Sequence, residues 1–337
     1  MKIFNCPSCS SVMYFENTRC ERCDHAVGFD CDSMDFKIVG TDQKSIGDQE
    51  IARYCENHKI SICNWLVSDV QNTLCKSCSL TRKIPNKEDT ENFSKWQKLE
   101  SAKRRLIYQL LLLGLPIVPK TENFEDGLVF DFLSKENAEG KMTGHADGVI
   151  TILLQEADSV EREQLRKQMA EPYRTLIGHF RHEIGHYYFP KLVRENTLET
   201  FRNLFGDERI DYSEALEEHY KSGPETNWSN FFISSYASSH PWEDWAETWA
   251  HYLHIMDTLE TAHYAGIGLC NAESKSLEPC PNAYTLHNFE DFFNWGVRLT
   301  SAGNSLNRSM GLQDIYPFVI PAAVYKKMEF IFSLLKK

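Results

Sequence analysis

The sequence predicts an α+β protein, with a small cysteine-dense N-terminal domain folded around metal and a mainly helical domain that carries a small sheet. Three observations predict it. Nine of the eleven cysteines fall before residue 79. Two β-like runs, Leu128–Leu133 and Gly148–Leu154, stand between an amphipathic helix and a long stretch of helical periodicity. The chain has 337 residues, which at about 150 residues per domain accommodates two domains. The divisions read from composition are residues 1–83 for the first domain, 84–100 for a linker and the start of a helix, and 101–337 for the second domain.

Charge and hydropathy exclude several classes. With 42% apolar and 25% charged residues the chain is neither disordered nor fibrous as a whole. Its 36 basic and 48 acidic side chains leave a net charge of −12, so no chain-wide electrostatic footprint for nucleic acid exists. The opening Met1–Cys6 has no apolar signal region. The longest apolar stretch, Leu106–Val118, is interrupted by Gln109, Gly114 and Pro116 and is too short to span a bilayer. A soluble, cytoplasmic protein without a membrane partner is expected, and in that reducing setting paired cysteines read as metal sites rather than disulfides.

The first domain is short of long apolar runs and cannot bury enough surface alone, so a metal must help it fold. Cys6-Pro-Ser-Cys9 and Cys20-Glu-Arg-Cys23 are two CxxC knuckles ten residues apart. Each offers two thiolates on a tight turn, and together they complete a tetrahedron around a structural zinc, as in a zinc ribbon. Cys75-Lys-Ser-Cys78 supplies a third knuckle, and Cys55 and Cys63 complete a second four-thiolate site; His58 competes with Cys63 for the last position. Cys31 reads as a small packed residue, and Cys270 and Cys280 have no CxxC partner. Ten basic and eleven acidic side chains before residue 84 leave a net of −1, which gives little drive toward nucleic acid. The expected role of this module is structural or protein docking.

Lys83–Thr90, with Pro85, is polar and reads as the linker. Phe93, Trp96, Leu99, Leu106, Leu110 and Leu113 then recur at helical spacing until Gly114 and Pro116 end the run. Further on, Glu171 and Pro172 signal a helix start, and Pro190 closes the segment. Inside it stands His182-Glu183-Ile-Gly-His186, an HExxH pattern. On a helix both imidazoles face one ion, and Glu183 reaches a water on that ion as its base. A second helix, beginning near Pro241, carries Glu243 and Glu247 four residues apart on one face. Trp242, Trp245 and Trp249 share helical spacing and read as core; His179 reads as a satisfied neighbour and His145 as a turn residue.

At these residues the chain resembles the gluzincins, metallopeptidases in which HExxH is followed by a helix bearing Glu-x-x-x-Asp/Glu. The resemblance implies that Glu243 binds zinc, that Glu247 hydrogen-bonds a ligand histidine, and that Tyr236, seven residues before Glu243, stabilises the oxyanion. Glu247 itself, supported by Asp244 or His251, and Glu208, 22 residues after His186, compete for the third ligand position; Glu208 lacks an acid four residues on, at Tyr212. More closely, the chain is similar to bacterial zinc-binding metallopeptidases with an N-terminal zinc ribbon. That similarity rests on the cysteine array, Phe180–Tyr188, Phe205–Arg209, Ser239–Trp249 and Asn307–Gly311. It implies a zincin-like second domain, one catalytic and two structural zinc ions, and hydrolysis of a peptide or protein substrate by a zinc-activated water with Glu183 as general base. The strand near Val149–Leu154 is a candidate edge for an extended substrate. Two other readings stand beside this one: a non-catalytic zinc-ribbon interaction module on a degenerate zincin scaffold, and a zinc-dependent hydrolase of a non-peptide amide.

Overall fold

The computed structural model describes residues 1–40, 52–67, 69, 71–140, 142–168, 175–271 and 275–336. It has α+β architecture and divides by internal packing into two units, Met1–Ala157 and Asp158–Lys337. Among the described residues, no helix is long and apolar enough to cross a membrane.

The first unit opens with three antiparallel two-stranded pairs: β1 (Phe4–Asn5) with β2 (Val12–Met13), β3 (Val27–Asp30) with β4 (Asp35–Ile38), and β5 (Arg53–Tyr54) with β6 (Leu66–Val67). Strands this short cannot hold a core by ladder bonds alone. Aromatic side chains supply it: Phe4, Phe15, Phe29, Phe36 and Trp65 are buried and pack with ring centroids 4.9–6.3 Å apart, mostly edge-on, with Phe4 stacked on Phe15. The strand β7 (Thr81–Lys83) leads to the helix α1 (Thr90–Leu112), which Asp89 caps by accepting from the backbone N–H groups of Glu91 and Asn92. Tyr108 of α1 closes the aromatic cluster, 5.2 Å from Phe15 and 5.8 Å from Phe29. Lys103 and Glu100, both fully buried, pair at 2.8 Å beside the Thr81 hydroxyl, so the helix is pinned to β7 as well.

Strands β8 (Val129–Leu133), β9 (Gly144–Ala146) and β10 (Val149–Leu153) join β7 in a four-stranded sheet of order β7-β8-β10-β9. This corrects two expectations. The Val149–Leu154 strand is interior, because β8 pairs it on one side and β9 on the other. The reason is a tight turn at Asp147-Gly148, both at positive φ, which folds β9 back on β10. His145, expected in a turn, lies within β9 opposite Ile150 and accepts from the Gly148 N–H just past its own strand.

The second unit contains α2 (Ser159–Gln168), α3 (Leu176–Leu192), α4 (Glu195–Phe205), α5 (Tyr212–Ser222) and α6 (Pro241–Tyr264). A hairpin of β11 (Gly268–Cys270) and β12 (Leu277–Pro279) follows, then α7 (Phe289–Ser309) and α8 (Ala322–Leu335). The expected start signals Glu171 and Pro172 lie outside the described residues; Thr175 caps α3 by accepting from the Gly178 N–H. Pro190 sits in the last turn, and the helix runs two residues past it.

Helix α6 is apolar or pairing on nearly every face and forms the centre of this unit. Trp245 and Trp249 are fully buried and stacked on each other; Trp249 also stacks on Tyr188, and Phe189, Phe201 and Phe205 surround Trp245. Trp242 differs from the expected core role: it is 38% exposed and rests on the rings of Phe189, Tyr212 and His240. Helix α3 comes close to α6 at Gly185. A Cβ there would stand 3.1 Å from both Ala246 Cα and Trp249 Cδ1, and the Gly185 carbonyl accepts a 2.9 Å bond from Trp245 Nε1. Replacing Gly185 by Val forces a side chain into that contact. It is expected to cost about 1–3 kcal/mol and to lower the thermal midpoint of the second unit; an unchanged midpoint would show that the helices do not need this approach.

Candidate metal centre

Three groups of side chains converge to metal-ligating distance among the described residues. Two lie in the first unit. Cys6, Cys9, Cys20 and Cys23 face one another, with Cys6–Cys23 and Cys9–Cys20 sulfur separations of 3.6 Å. Cys55, Cys63, Cys75 and Cys78 do the same, fully buried, with 3.6 Å between Cys63 and Cys75. A tetrahedral zinc at Zn–S of about 2.3 Å spaces its sulfurs about 3.8 Å apart, so both groups fit the ion. Backbone N–H groups of Ser8, Trp65, Cys75 and Cys78 point at sulfurs at 3.3–3.4 Å, which stabilises thiolates over thiols. His58 is engaged elsewhere: its Nδ1 lies 2.9 Å from the Cys63 carbonyl and its ring stacks on Tyr54. Cys31 belongs to neither group.

The third group is His182, His186 and Glu243. One turn of α3 sets the two imidazoles side by side, with 3.1 Å between the Nε2 atoms. The first turn of α6 brings in Glu243. Pro241 opens that helix and His240 caps it, accepting from the Trp242 N–H through Nδ1 while its Nε2 faces the Ile210 carbonyl at 3.2 Å. The two halves of the Glu243 carboxylate differ. Oε1 accepts a 2.8 Å bond from the Tyr212 hydroxyl, whereas Oε2 is buried without a hydrogen bond, although His182 Nε2 is 3.0 Å away.

His182 is oriented from behind. Its Nδ1 lies 2.7 Å from Glu247 Oε1, and the Ser234 hydroxyl donates to Glu247 Oε2 at 2.7 Å. A carboxylate held at about 2 can only accept, although burial works to raise it. Nδ1 therefore carries the hydrogen, and Nε2 turns its lone pair toward His186 and Glu243. Burial opposes charge on His182, yet Glu243 and Glu247 raise it well above the usual histidine range. A buried carboxylate, Glu243, and a part-exposed one, Glu247, beside two imidazoles thus call for positive charge, which a protonated His182 or a metal ion supplies.

That demand suits zinc. A tetrahedral ion with Zn–N of about 2.0–2.1 Å spaces two nitrogens about 3.3 Å apart, close to the separation seen here. The donor set of two nitrogens and one oxygen leaves a fourth position for water. The buried Oε2 without a hydrogen bond is the remaining donor such an ion would use.

Comparison with known proteins gives the same chemistry. Residues 92–334 match the family model described as "Putative zinc-binding metallo-peptidase", and residues 3–89 match a zinc-ribbon domain. The chain belongs to this metallopeptidase family. Relatives 44% identical over 337 residues, spanning 99% of this chain and 95% of each relative, occur in Mycobacterium bovis and in two strains of Mycobacterium tuberculosis; all three are uncharacterised proteins. No solved structure matches the chain. Zinc is the metal of the family, and the two four-cysteine groups suit it independently.

Other candidate residues of this family member fall as follows. Glu183, 8% exposed, follows His182 on α3, and its charge is felt by both Tyr212 and Tyr236. The Tyr236 ring lies 6.0 Å from that of His182. Glu208 is outside the group, clasped by both arms of the Arg202 guanidinium at 2.6 and 3.0 Å. Asp244 and His251 do not support Glu247 by hydrogen bonds: Asp244 pairs with Lys327 of α8 at 2.5 Å, and His251 meets the Tyr316 hydroxyl at 2.9 Å. The residues missed in the sequence are Ser234, whose hydroxyl holds Glu247, and Tyr212. Tyr212 sits at a helix start with no motif around it, and only the fold brings its hydroxyl to Glu243.

The orientation of His182 is open to test. Glu247→Ala is expected to weaken zinc at this centre by about 10–100-fold, measured by competition with a chromophoric chelator, while Glu208→Ala leaves it unchanged. The reverse pattern would remove the centre as described.

Proposed function

We propose that the chain is a zinc-dependent peptidase whose catalytic ion is held by His182, His186 and Glu243, with two further structural zinc ions in the four-cysteine groups. The observation that carries this reading is the His182–His186–Glu243 trio, with the far nitrogen of His182 engaged by Glu247 and an acid, Glu183, immediately beside it. The four-thiolate groups have no open position and are structural in this reading.

When bound, the ion lowers the pKa of a coordinated water toward about 7 and polarises the scissile carbonyl. Glu183 takes the proton of the attacking water and delivers it to the departing amine nitrogen. Tyr236 donates its hydroxyl hydrogen to the carbonyl oxygen as negative charge develops there. Burial, with Glu243 and other neighbours, pushes Tyr236 far above the usual phenol range, so it stays protonated and remains a donor. Glu247 and Ser234 keep His182 in the tautomer that faces the ion. The substrate of this reading is a peptide or protein.

Metal analysis of the purified chain is expected to give three zinc ions, falling to two in His186→Ala. Glu183→Gln is expected to retain three and to lose peptide hydrolysis. Hydrolysis undiminished in Glu183→Gln would remove the assigned base.

A further inference from the structure

The asymmetry of Glu243 has a visible source. Tyr212, the first residue of α5, donates to Oε1 at 2.8 Å. No residue of α5 is buried, so the hydroxyl is not placed by burial of its helix. It is placed by the start of α6. The Tyr212 ring lies edge-on to His240 at 5.2 Å and against Trp242 at 6.0 Å, and His240 Nε2 reaches the Ile210 carbonyl two residues before Tyr212. Asp211 caps α5 by accepting from the Glu214 N–H, so the hydroxyl is not needed for the helix to form.

We propose that Tyr212 is a positioning residue that makes Glu243 a one-oxygen ligand. Its hydroxyl takes one lone pair of Oε1, which lies 3.5 Å from His186 Nε2, and so favours Oε2, the buried oxygen without a hydrogen bond, as the ligand atom for the ion. A carboxylate offering both oxygens would add a fifth donor to the ion and crowd the position a reacting water takes. The phenol disfavours this with a charge-assisted bond to a buried carboxylate. The inference rests on the reading of His182, His186 and Glu243 as a metal site.

The test keeps the full chain with zinc in both four-cysteine groups and loads cobalt(II) into the third site. The visible difference spectrum against His186→Ala isolates that site, and zinc affinity is measured beside it. Wild type is expected to show the intense bands of four-coordinate cobalt. Tyr212→Phe, which keeps the ring and removes only the hydroxyl, is expected to show the weaker, shifted bands of five-coordinate cobalt and zinc binding about 10-fold weaker. Tyr220→Phe, on the same helix, is expected to match wild type. An unchanged spectrum and affinity in Tyr212→Phe overturn the assignment of Tyr212 while the metal site stands. Equal losses in Tyr220→Phe also overturn it, since the effect then belongs to the helix. Absence of any third-site cobalt signal in wild type takes down both the metal-site reading and this one.

Discussion

The closeness of α3 to α6 at Gly185 is the constraint on which the second unit depends. A glycine costs a helix interior about 1 kcal/mol relative to alanine. Here it avoids a side chain that would press on α6, with Trp245 bonded to its carbonyl and Trp249 packed beside it. Because one turn of α3 carries both His182 and His186, docking the helices at Gly185 delivers two imidazoles at once to the first turn of α6. The aromatic packing of Tyr188, Phe189, Trp245 and Trp249 is therefore the energetic source of the site's geometry.

Around that contact the structure buries charge and answers each one. Glu247 is held between His182 and Ser234, Asp244 is paired with Lys327, and Lys327 also donates to the Phe231 carbonyl at 2.7 Å. Burial still pushes Asp244 up to about 7 against the pull of Lys327, which marks how dry this stretch of α6 is. Such a network contributes little net stability, but breaking one partner leaves an uncompensated charge. It therefore fixes α6 in rotation and register, and with it the direction of Glu243. The two carboxylates near the imidazoles draw positive charge to this point, and a divalent cation held by His182, His186 and Glu243 would supply it.

Much of this was legible because it is local. CxxC knuckles bring sulfurs together within a turn, and the i, i+4 spacing of His182 and His186 places them on one face of any helix. The α+β class followed from the concentration of cysteines ahead of residue 79 and the helical periodicity beyond the β-runs. What could not be read depends on tertiary contact. Tyr212 reaches Glu243 only because the chain before α5 is tied to His240. The interior place of β10, by contrast, turns on a local signal, the Asp147-Gly148 turn, which a reading of the strand as an edge passes over. Trp242 shares its spacing with Trp245 and Trp249 yet lies at the first turn of α6, where the aromatic core ends and its ring stays partly exposed. The family match supports zinc and peptidase chemistry, and geometry alone says which side chains converge.

The most direct test of the metal centre is an anomalous difference map at the zinc edge from crystals grown with zinc. The account predicts three peaks, one in each four-cysteine group and one bounded by His182 Nε2, His186 Nε2 and Glu243 Oε2. Peaks confined to the cysteine groups, with the two histidines and the glutamate closed on one another, would contradict it.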